Sequence, residues 1–374
     1  MIEPASNAAA PDAVRATRKD DHVRLAAAQH GDARSLNEFD DLEFVHHALA
    51  GIDASLVDLG VELGAGVDGA RWPLPFYVNG MTGGTEWTTR INREIAIAAR
   101  ETGIAMASGS VSVALDHPET ASGFQVIRDE NPHGFVMANI GVGRSADDAV
   151  RAVELLQADA LQLHINAVQE TAMPEGSRDF SSWQRSVEQI VAASPVPVVV
   201  KEVGFGLSRE TLRRLVELGA RYADVSGRGG TDFLRIENAR HESAAQLAGD
   251  DFSMLSGFGQ SALACLLDAP TEGPALLASG GVRTPFDVVK ALAAGARAVG
   301  VAGTFLEVVL EGGAEALITA IERWRAQTTA ILALLGAQTP ADLARTDLLV
   351  RGRLGEFCRL RGIDLAALAT RSTA

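Results

Sequence analysis

Hydrophobic residues follow one repeating pattern from about Pro75 to Gly303: a short apolar run rich in β-branched residues, a turn, then apolar residues three and four positions apart. The last spacing is that of an amphipathic helix, as in Glu210 to Leu218 and Phe286 to Ala294. The apolar runs predict eight strands: Phe76–Met81, Ile104–Ser108, Phe135–Ile140, Leu161–Asn166, Val196–Glu202, Tyr222–Ser226, Ala275–Ser279 and Ala298–Ala302. Strands that alternate with helices are parallel, and eight of them favour a closed (β/α)8 TIM barrel of the α/β class.

The alternative fold is an open, doubly wound sheet, which typically has a glycine-rich fingerprint directly after its first strand. Here the first strand is followed by Met81-Thr82-Gly83-Gly84, and the richest glycine turns come late in the chain. The barrel is therefore the predicted fold.

The segments on either side of the repeats are expected to complete a single catalytic domain over residues 18–374. Phe39 to Leu63 alternates acidic and apolar residues and should pack as an N-terminal layer. The pattern after Gly303 predicts helices to the end of the chain, including Ala314–Leu335 and Pro340–Leu349. These helices are expected to supply an oligomer surface. Residues 1–17 are expected to form a disordered N-terminal extension.

Composition and charge argue against several classes of protein. The net charge of −15 is the opposite of what a nucleic-acid-binding surface needs. No apolar run is long enough to cross a membrane, and the N-terminus lacks the order of a signal peptide, so a cytoplasmic location is expected. Cys265 and Cys358 are far apart and in no metal or redox spacing, which argues against a disulfide framework.

The fourth predicted strand carries the most informative polar residues. Side chains alternate between the two faces of a strand, so Gln162, His164 and Asn166 share one face. Gln169 and Glu170 follow shortly after. Such groups are costly to bury unless they line a site or bond to one another. The pattern favours a site at the C-terminal end of this strand, and the alternative is an internal hydrogen-bonded ladder.

Two glycine turns follow the seventh and eighth strands, which is where TIM barrels commonly bind phosphate. Ser279–Arg283 precedes a helix that opens with Thr284-Pro285, and Ala302-Gly303-Thr304 precedes another. Glycine lets the backbone approach a ligand closely, and helix N-termini attract anions. The two turns together predict a phosphorylated ligand such as FMN.

Three further segments carry charge or glycine near the predicted catalytic face. Lys201 ends the fifth strand, where it could hold an anion or pair with Glu202 at the barrel rim. The glycine run within Asp224–Phe233 could cover a cofactor or be only a flexible loop. Arg18 to His22 places two cations and a His within one helical turn, a candidate lid for a diphosphate, although such clusters are more often a solvated helix face.

These segments together resemble type 2 isopentenyl-diphosphate isomerase from about Arg18 to the end of the barrel. The resemblance is carried by Arg18–His22, Asn79–Gly84, Ala138–Gly141, Leu161–Glu170, Val200–Gly206, Asp224–Phe233 and Ser279–Pro285. Each glycine turn also occurs in other FMN barrels, so the combination is what is specific. The resemblance implies conversion of isopentenyl diphosphate to dimethylallyl diphosphate with reduced FMN, Mg2+ and NADPH as reductant, in a homo-oligomer that is a tetramer or octamer.

The resemblance also implies a role for each matching residue. The flavin would be held by Met81, Thr82, Gly83, Ser110, Asn139, Lys201, Ser226, Thr231, Gly280, Gly281, Arg283, Ala302 and Gly303. The diphosphate substrate would be bound by Arg18, Lys19, His22, His164, Asn166 and Gln169. Glu170 would bind the metal ion, because a hard carboxylate oxygen suits Mg2+.

Gln169, Glu237 and His164 are the candidate catalytic residues under this resemblance. An amide is a poor acid, so a positioning role suits Gln169 better than proton transfer. Glu237 could transfer a proton, or it could be only a surface helix carboxylate paired with Arg240. One departure concerns the end of the second strand, where many family members have an Arg that this sequence lacks in Gly109-Ser110-Val111-Ser112. Which residue compensates is left open.

Other flavin barrels agree less well with the sequence. A 2-hydroxy-acid oxidase commonly has a catalytic His shortly before the late Gly-Gly-Arg turn, but no His lies between Glu242 and Arg283. A nucleotide-type dehydrogenase needs a nucleophilic Cys on the sixth loop, whereas Cys265 falls in the predicted helix Ser261 to Leu267. A barrel that only stores or senses flavin would not account for Glu170 beside Gln169 or for the Arg18 to His22 cluster.

Overall fold

The computed structural model of this chain describes residues 11–30, 37–63, 71–173, 176–243 and 252–373, without the side chains of 11–19, 30 and 241–243. Eight parallel strands close into a barrel in sequence order: β1 (Phe76–Val78), β2 (Met106–Ala107), β3 (Val136–Gly141), β4 (Ala160–His164), β5 (Val198–Lys201), β6 (Tyr222–Asp224), β7 (Ala275–Ser279) and β8 (Ala298–Val301). Strand β8 pairs with β1 to complete the ring. The predicted TIM barrel and each of its eight strands are confirmed.

The described α-helices are α1 (Pro11–His30), α2 (Glu86–Thr102), α3 (Ser112–Asp116), α4 (Ser122–Glu130), α5 (Ala146–Leu156), α6 (Ala167–Ala172), α7 (Trp183–Ala193), α8 (Arg209–Glu217), α9 (Phe233–Ser243), α10 (Ala262–Leu267), α11 (Pro285–Ala293), α12 (Gly303–Leu334), α13 (Gly352–Leu360) and α14 (Leu365–Ala369). Short 3-10 helices cover Glu38–Asp41, Ala54–Leu56, Pro118–Thr120, Ser253–Leu255, Pro340–Arg345 and Arg371–Thr373. No helix in these ranges is both long and apolar enough to cross a lipid bilayer.

The barrel interior is apolar towards the N-terminal ends of the strands and polar towards their C-terminal ends. The apolar part includes Met137, Val199 and Leu277. A two-stranded hairpin, Val61–Glu62 with Arg71–Trp72, covers the N-terminal end. The Trp72 ring there packs edge-on against Tyr77 and Phe135, with centroids 5.4 and 5.1 Å apart. The hydrophobic filling at this end leaves the polar C-terminal mouth as the place for a site.

The outer helices pack against the outward faces of the strands. A cluster of three aromatic rings illustrates this contact: Trp324 of α12 lies 5.8 Å from Phe76 of β1 and 4.9 Å from Phe305, measured between ring centroids. All three side chains are buried. Helix α12 therefore closes the barrel wall where β8 meets β1.

The terminal segments differ from the sequence-based expectation in one place. The chain after Gly303 is not helical throughout, because Leu348–Val350 forms an antiparallel strand pair with Leu42–Phe44. Leu42 and Leu348 of this strand pair are fully buried. A strand of three residues is too short to be predicted from the periodicity of its sequence. Helix α1 begins at Pro11, within residues 1–17, and the disorder expected for that extension stays a prediction. Residues 1–10 lie outside the described ranges.

Candidate active site

A buried carboxylate lies at the start of the polar half of the barrel. Asp224 of β6 has no solvent exposure and accepts hydrogen bonds from three side chains and one backbone amide. The donors are the Tyr77 hydroxyl at 2.9 Å, Asn79 Nδ2 at 3.1 Å, the Ser279 hydroxyl at 2.9 Å and the Ser226 N–H at 3.0 Å. Burial and the adjacent carboxylate raise the pKa of Tyr77 well above its usual value. The phenol therefore keeps its proton and donates a hydrogen bond to Asp224.

From Asp224 a row of hydrogen-bonded side chains crosses the barrel, and we call it the amide chain: Asp224, Asn79, Gln162, Asn139 and His164. Gln162 Nε2 donates to Asn79 Oδ1 at 3.1 Å, and Asn139 Nδ2 donates to Gln162 Oε1 at 3.0 Å. His164 Nδ1 lies 2.9 Å from Asn139 Oδ1. The polar ladder considered for the fourth strand thus exists, and it leads to the half-buried His164 at the mouth.

A second cluster, the α6–α9 cluster, joins His22, Asn166, Gln169, Glu170, Glu237 and Arg240. Gln169 Nε2 donates to Glu237 Oε1 at 2.9 Å, and Asn166 Nδ2 donates to Gln169 Oε1 at 3.2 Å. His22 Nε2 of α1 lies 3.1 Å from the same Glu237 oxygen. The Gln169 amide is therefore held at both ends, and most of the predicted substrate-binding residues whose side chains are described meet here.

Glu237 is fully buried, although the sequence also allowed a surface position for it. Burial by itself would raise the pKa of Glu237. The hydrogen bond and charge of His22, the hydrogen bond from Gln169 and the charge of Arg240 outweigh that effect and lower the pKa to about 2. The predicted pairing with Arg240 is present. An ionised Glu237 can hold Gln169 and His22, but it has no proton to donate near neutral pH.

Glu170 lies next to this cluster and is half-buried. One carboxylate oxygen accepts Asn166 Nδ2 at 3.2 Å, and the other accepts the Ser177 N–H at 2.9 Å. Within the described ranges, no group of three or more His, Cys, Asp or Glu side chains could hold a metal ion. A Mg2+ ion bound by Glu170 would therefore take further ligands from water and substrate phosphate, which is how Mg2+ is commonly held.

Two buried hydroxyl groups indicate where a polar ligand would sit. Thr82 Oγ1 and Ser108 Oγ follow the ends of β1 and β2, and neither has a hydrogen-bond partner in the described part of the chain. Buried polar groups in proteins are nearly always hydrogen-bonded, so these two require a partner at the barrel mouth. The polar edge of a flavin ring, with its carbonyl groups and ring nitrogens, fits this donor set.

Lys201 at the end of β5 is buried and points its ammonium towards the loop after β6. It donates to the Ser226 hydroxyl at 3.2 Å and to the backbone carbonyl of Glu202 at 2.8 Å, rather than to the Glu202 carboxylate. That carboxylate instead accepts the N–H groups of Val203 and Phe205, and burial raises the pKa of Glu202 to about 7. A buried ammonium is stabilised by an anion, so Lys201 fits an anionic part of a flavin.

The two predicted phosphate turns differ in what their helices offer. The N-terminus of α11 is already capped, because Thr284 and Asp287 accept one another's backbone N–H groups. Helix α12 starts at Gly303 with no side-chain cap on its N-terminus, so its first N–H groups suit a phosphate. Gly280 has φ of 97°, and a Cβ there would come within 1.9 Å of the Gly227 carbonyl oxygen, so only glycine fits this turn.

The other predicted flavin residues lie around the same mouth. Arg283 is held by Asp40 at 2.6 Å and Asp287 at 3.2 Å, which raises the pKa of its guanidinium. Ser110 donates to Ser112 at 3.0 Å at the start of α3. Met81 and Thr231 are half-buried, and Gly83 backs onto the Phe124 ring. The set therefore surrounds one opening, and the flavin contact of each remains a prediction.

Helix α1 crosses the C-terminal face of the barrel. Its Asp20 accepts the Thr85 hydroxyl at 2.7 Å at the start of α2, and Gln29 forms reciprocal bonds with the backbone of Asp232 before α9. The helix thus passes over the loops after β1 and β6, as a lid would. The side chains of Arg18 and Lys19 lie outside the described residues, so their contact with a diphosphate stays a prediction.

Sequence reasoning assigned no role to Tyr77 or Ser108, placed Gln162 only on the polar face of its strand, and named Asp224 only as the start of a motif. Asp224 gave the clearest signal, because an acidic residue in the strand Tyr222-Ala223-Asp224-Val225 shares the inward face with Tyr222. The Ser108 signal appears only in the folded chain, as a buried hydroxyl without a partner among the described residues. Cys265 is buried in α10, and burial raises its thiol pKa, which disfavours it as a nucleophile.

Comparison with known proteins agrees with this architecture. Residues 128–350 match the family of FMN-dependent dehydrogenases. Over 356 residues the chain is 57% identical to the isopentenyl-diphosphate delta-isomerase of Nocardia farcinica, covering 95% of this chain and 96% of that protein. It is 54% identical to the enzyme of the same name from a Streptomyces species, covering 96% of each. The chain belongs to the isopentenyl-diphosphate delta-isomerases. The resemblance noted from the motifs is confirmed, and the barrel is of the FMN-dependent type.

Two solved structures share the barrel fold of this chain. A mandelate oxidase superposes with a TM-score of 0.59 at 20% identity, covering 90% of this chain and 95% of that one. A flavocytochrome b2 has a TM-score of 0.59 at 19% identity, covering 95% and 80%. Similarity at this level of identity shows the shared fold and no more.

Proposed function

We propose that this protein converts isopentenyl diphosphate to dimethylallyl diphosphate, with FMN in its reduced form, Mg2+, and NADPH as the reductant. The observation that carries the proposal is the α6–α9 cluster: Gln169 is held between Asn166 and Glu237 at the mouth of the barrel, beside Glu170. Relatives over nearly the whole chain are named for this isomerisation, which gives the cluster its substrate class.

The cofactor would be held by groups that the fold leaves ready for it. Thr82, Asn139 and Lys201 would contact the flavin ring, and the α12 N-terminus with Gly280 and Gly281 would hold its phosphate. When bound and reduced, FMN would supply acid–base chemistry next to the reacting carbons. The amide and hydroxyl groups around the mouth would orient the ring.

The diphosphate would lie on the other side of the mouth, against His164, Asn166 and His22, with Arg18 and Lys19 closing over it from α1. Imidazole and amide N–H groups are suitable donors for phosphate oxygens. Glu170 would bind the Mg2+ that bridges to the same oxygens. This arrangement concentrates positive charge locally in a chain whose net charge is −15.

Gln169 and Glu237 would serve to position groups at the reacting carbons and would not act as acids. Glu237 is ionised, with a pKa of about 2, and it receives the Gln169 amide at 2.9 Å. Gln169 is thus fixed where it can contact the alkene carbons and exclude water from them. This assignment gives Gln169 and Glu237 one shared role and leaves His164 to the diphosphate.

We expect the working enzyme to be a cytoplasmic homo-oligomer, a tetramer or octamer, that acts on a small molecule and binds neither nucleic acid nor membrane. Size-exclusion chromatography with light scattering gives its oligomeric state directly.

The first test is anaerobic NMR of isopentenyl diphosphate with the protein, FMN, Mg2+ and excess NADPH. Dimethylallyl diphosphate should form with reduced flavin and not with oxidised flavin. Glu170→Gln should lower the rate about 10- to 100-fold, because a metal ligand is lost. Glu154→Gln is the matched control, since Glu154 is exposed on α5, and it should leave the rate unchanged.

Absence of conversion by a folded, FMN-loaded protein would contradict the proposal. Equal activity with oxidised flavin would contradict the role of the reduced cofactor, and an unchanged Glu170→Gln variant would contradict the metal site. Other allylic diphosphates and 2-hydroxy acids would then be the substrates to test.

A further inference from the structure

We infer that Asp224 fixes the direction of the three buried amides in the amide chain and thereby holds the His164 ring with a proton on Nδ1. Asp224, Asn79 and Gln162 are then positioning residues for a histidine that Asp224 does not touch. The tautomer follows from the hydrogen bonds alone, and only its consequence for substrate binding rests on the proposed function.

An amide side chain has a donor end and an acceptor end of nearly the same shape, so packing does not decide which way it points. A carboxylate accepts only. Asp224 must therefore face the NH2 group of Asn79, which leaves Asn79 Oδ1 turned towards Gln162. Gln162 in turn must present its NH2 group to Asn79 and its oxygen to Asn139.

A second, independent contact fixes the same end of the chain. The backbone N–H of Gly80 donates to Asn79 Oδ1 at 2.9 Å, and a backbone N–H cannot accept. Asn79 is thus held from two sides, by an acceptor at its nitrogen and by a donor at its oxygen. Gly300 leaves room for this group, because a Cβ there would lie 2.8 Å from Asn79 Nδ2.

Histidine is the one member of the amide chain that can adapt to either direction, because its neutral ring can carry the proton on either nitrogen. Asn139 presents its oxygen to His164 Nδ1 at 2.9 Å, so Nδ1 must carry a proton. Nε2 is then the nitrogen that gains or loses a proton. The reversed chain would place an N–H group against Nδ1 and exclude a proton there.

For a histidine that binds a diphosphate, the observed direction of the amide chain is favourable because it allows the ring to be cationic. An imidazolium ring has protons on both nitrogens, and the observed chain accepts the Nδ1 proton, while the Nε2 proton would donate to the anion. A reversed chain would confine the ring to its neutral form. The charge of Asp224 thereby supports a cationic His164 across the barrel without approaching the substrate.

The test is 15N NMR of histidine-labelled, FMN-loaded protein, with the His164 signals assigned by their loss in His164→Gln. The neutral wild-type ring should show a protonated Nδ1 and an unprotonated Nε2. Gln162→Met removes the central amide and should shift the ring to a mixture of tautomers or to Nε2–H. Asp224→Asn removes one of the two contacts that hold Asn79 and should shift the ring less completely, because Gly80 still donates to Asn79 Oδ1.

Two variants separate direction from simple packing. Tyr77→Phe removes an equally buried hydrogen bond to the same Asp224 oxygen but leaves the amides in place, so it should keep Nδ1–H. Gln162→Glu replaces the amide by an acceptor for Asn139 and should also keep Nδ1–H, although the link to Asp224 is cut. Among active proteins, the KM for the diphosphate should rise about tenfold in Gln162→Met and stay unchanged in Tyr77→Phe.

The inference is overturned if the wild-type ring carries its proton on Nε2, if Gln162→Met keeps the wild-type tautomer, or if Tyr77→Phe shifts the ring as Gln162→Met does. Should Asp224→Asn not fold, the two Gln162 variants decide the matter, and their opposite predicted outcomes are unaffected by a general loss of stability. The expected tautomers in a protein without isomerase activity would contradict the proposed function and leave this inference standing.

Discussion

Among single residues, Glu237 shows how hydrogen bonds and nearby positive charges can lower a pKa that burial alone would raise. Its pKa of about 2 lies below the ordinary value of 4.5, so the folded chain holds the ionised form more firmly than the unfolded chain does. A lowered pKa of this kind stabilises the fold fully above the unfolded value, and the contribution is lost as the pH falls from about 4.5 towards 2. The three contacts of this one carboxylate therefore help to attach α1 and α6 to α9.

Replacing Glu237 by Gln should lower the free energy of unfolding by about 2–3 kcal/mol at pH 7, because the buried partners His22 and Arg240 lose their counter-charge. Urea unfolding followed by circular dichroism measures this loss. The difference from wild type should shrink as the pH falls from about 4.5 towards 2, where Glu237 takes up a proton. A loss that stayed the same down to pH 2, or one matched by the exposed Glu154→Gln, would contradict the assignment.

The sequence predicted the polar face of β4 correctly, because Gln162 and His164 are two residues apart and a strand has a period of two. The i,i+3 pairing between Glu237 and Arg240 was one of the two alternatives that the sequence offered for Glu237. What it could not supply is burial: Glu237 is covered by His22, which lies more than 200 positions earlier in the chain. Contacts of that range depend on how α1 crosses the barrel, and local periodicity carries no information about that.

Among the helices, α1 is held to the barrel by few but specific bonds. Gln29 both donates to and accepts from the backbone of Asp232, and Asp20 accepts the Thr85 hydroxyl. Val23 is the buried apolar anchor, with 3% of its surface exposed. A helix attached in this way can leave the barrel face without unfolding the strands beneath it.

We therefore expect Gln29→Ala to increase amide hydrogen exchange in α1 about tenfold, because two hydrogen bonds are lost, while the exchange of β1 to β8 stays unchanged. Mass spectrometry of peptides covering 11–30 measures the effect. Arg24→Ala is the matched control on the same helix, since Arg24 is exposed and contacts only Asp21 among the described ion pairs. An equal response to both changes would argue against the Gln29 anchor.

The helices that follow β7 and β8 differ in how their N-termini are capped. Thr284-Pro285 was expected to open a phosphate-binding helix, yet its N–H groups are used by Thr284 and Asp287 themselves. The capping box could have been recognised from the spacing of those two residues. Ala302 has no capping side chain, so the first N–H groups of α12 are left for a ligand, and phosphate binding at both turns stays a prediction.

In the whole molecule, the N-terminal and C-terminal segments contact one another and the barrel. Leu42–Phe44 pairs with Leu348–Val350, and Lys290 of α11 donates to the Phe39 carbonyl at 2.7 Å. Arg361 after α13 is held by the buried Asp268 at 3.0 Å. These contacts support a single domain across the described residues from α1 to the C-terminal end.

Leu42→Ala should accordingly destabilise the entire protein, by about 2–5 kcal/mol, because a fully buried leucine leaves a cavity. Denaturant unfolding should still show one transition, since the terminal strand pair unfolds with the barrel. Leu49→Ala, at a fully exposed position, should change the stability by less than about 0.5 kcal/mol. A separate early transition in Leu42→Ala would mean that the terminal segments form an independent unit.

The hairpin that places Trp72 against Tyr77 and Phe135 has a consequence for the order of events in catalysis. With that end filled by side chains, molecules enter and leave through the same opening, under α1. Whatever occupies the deeper position must arrive first and depart last. Under the proposed function, FMN and the diphosphate would share this opening, so a flavin that bound deeper than the diphosphate would remain in place through many turnovers.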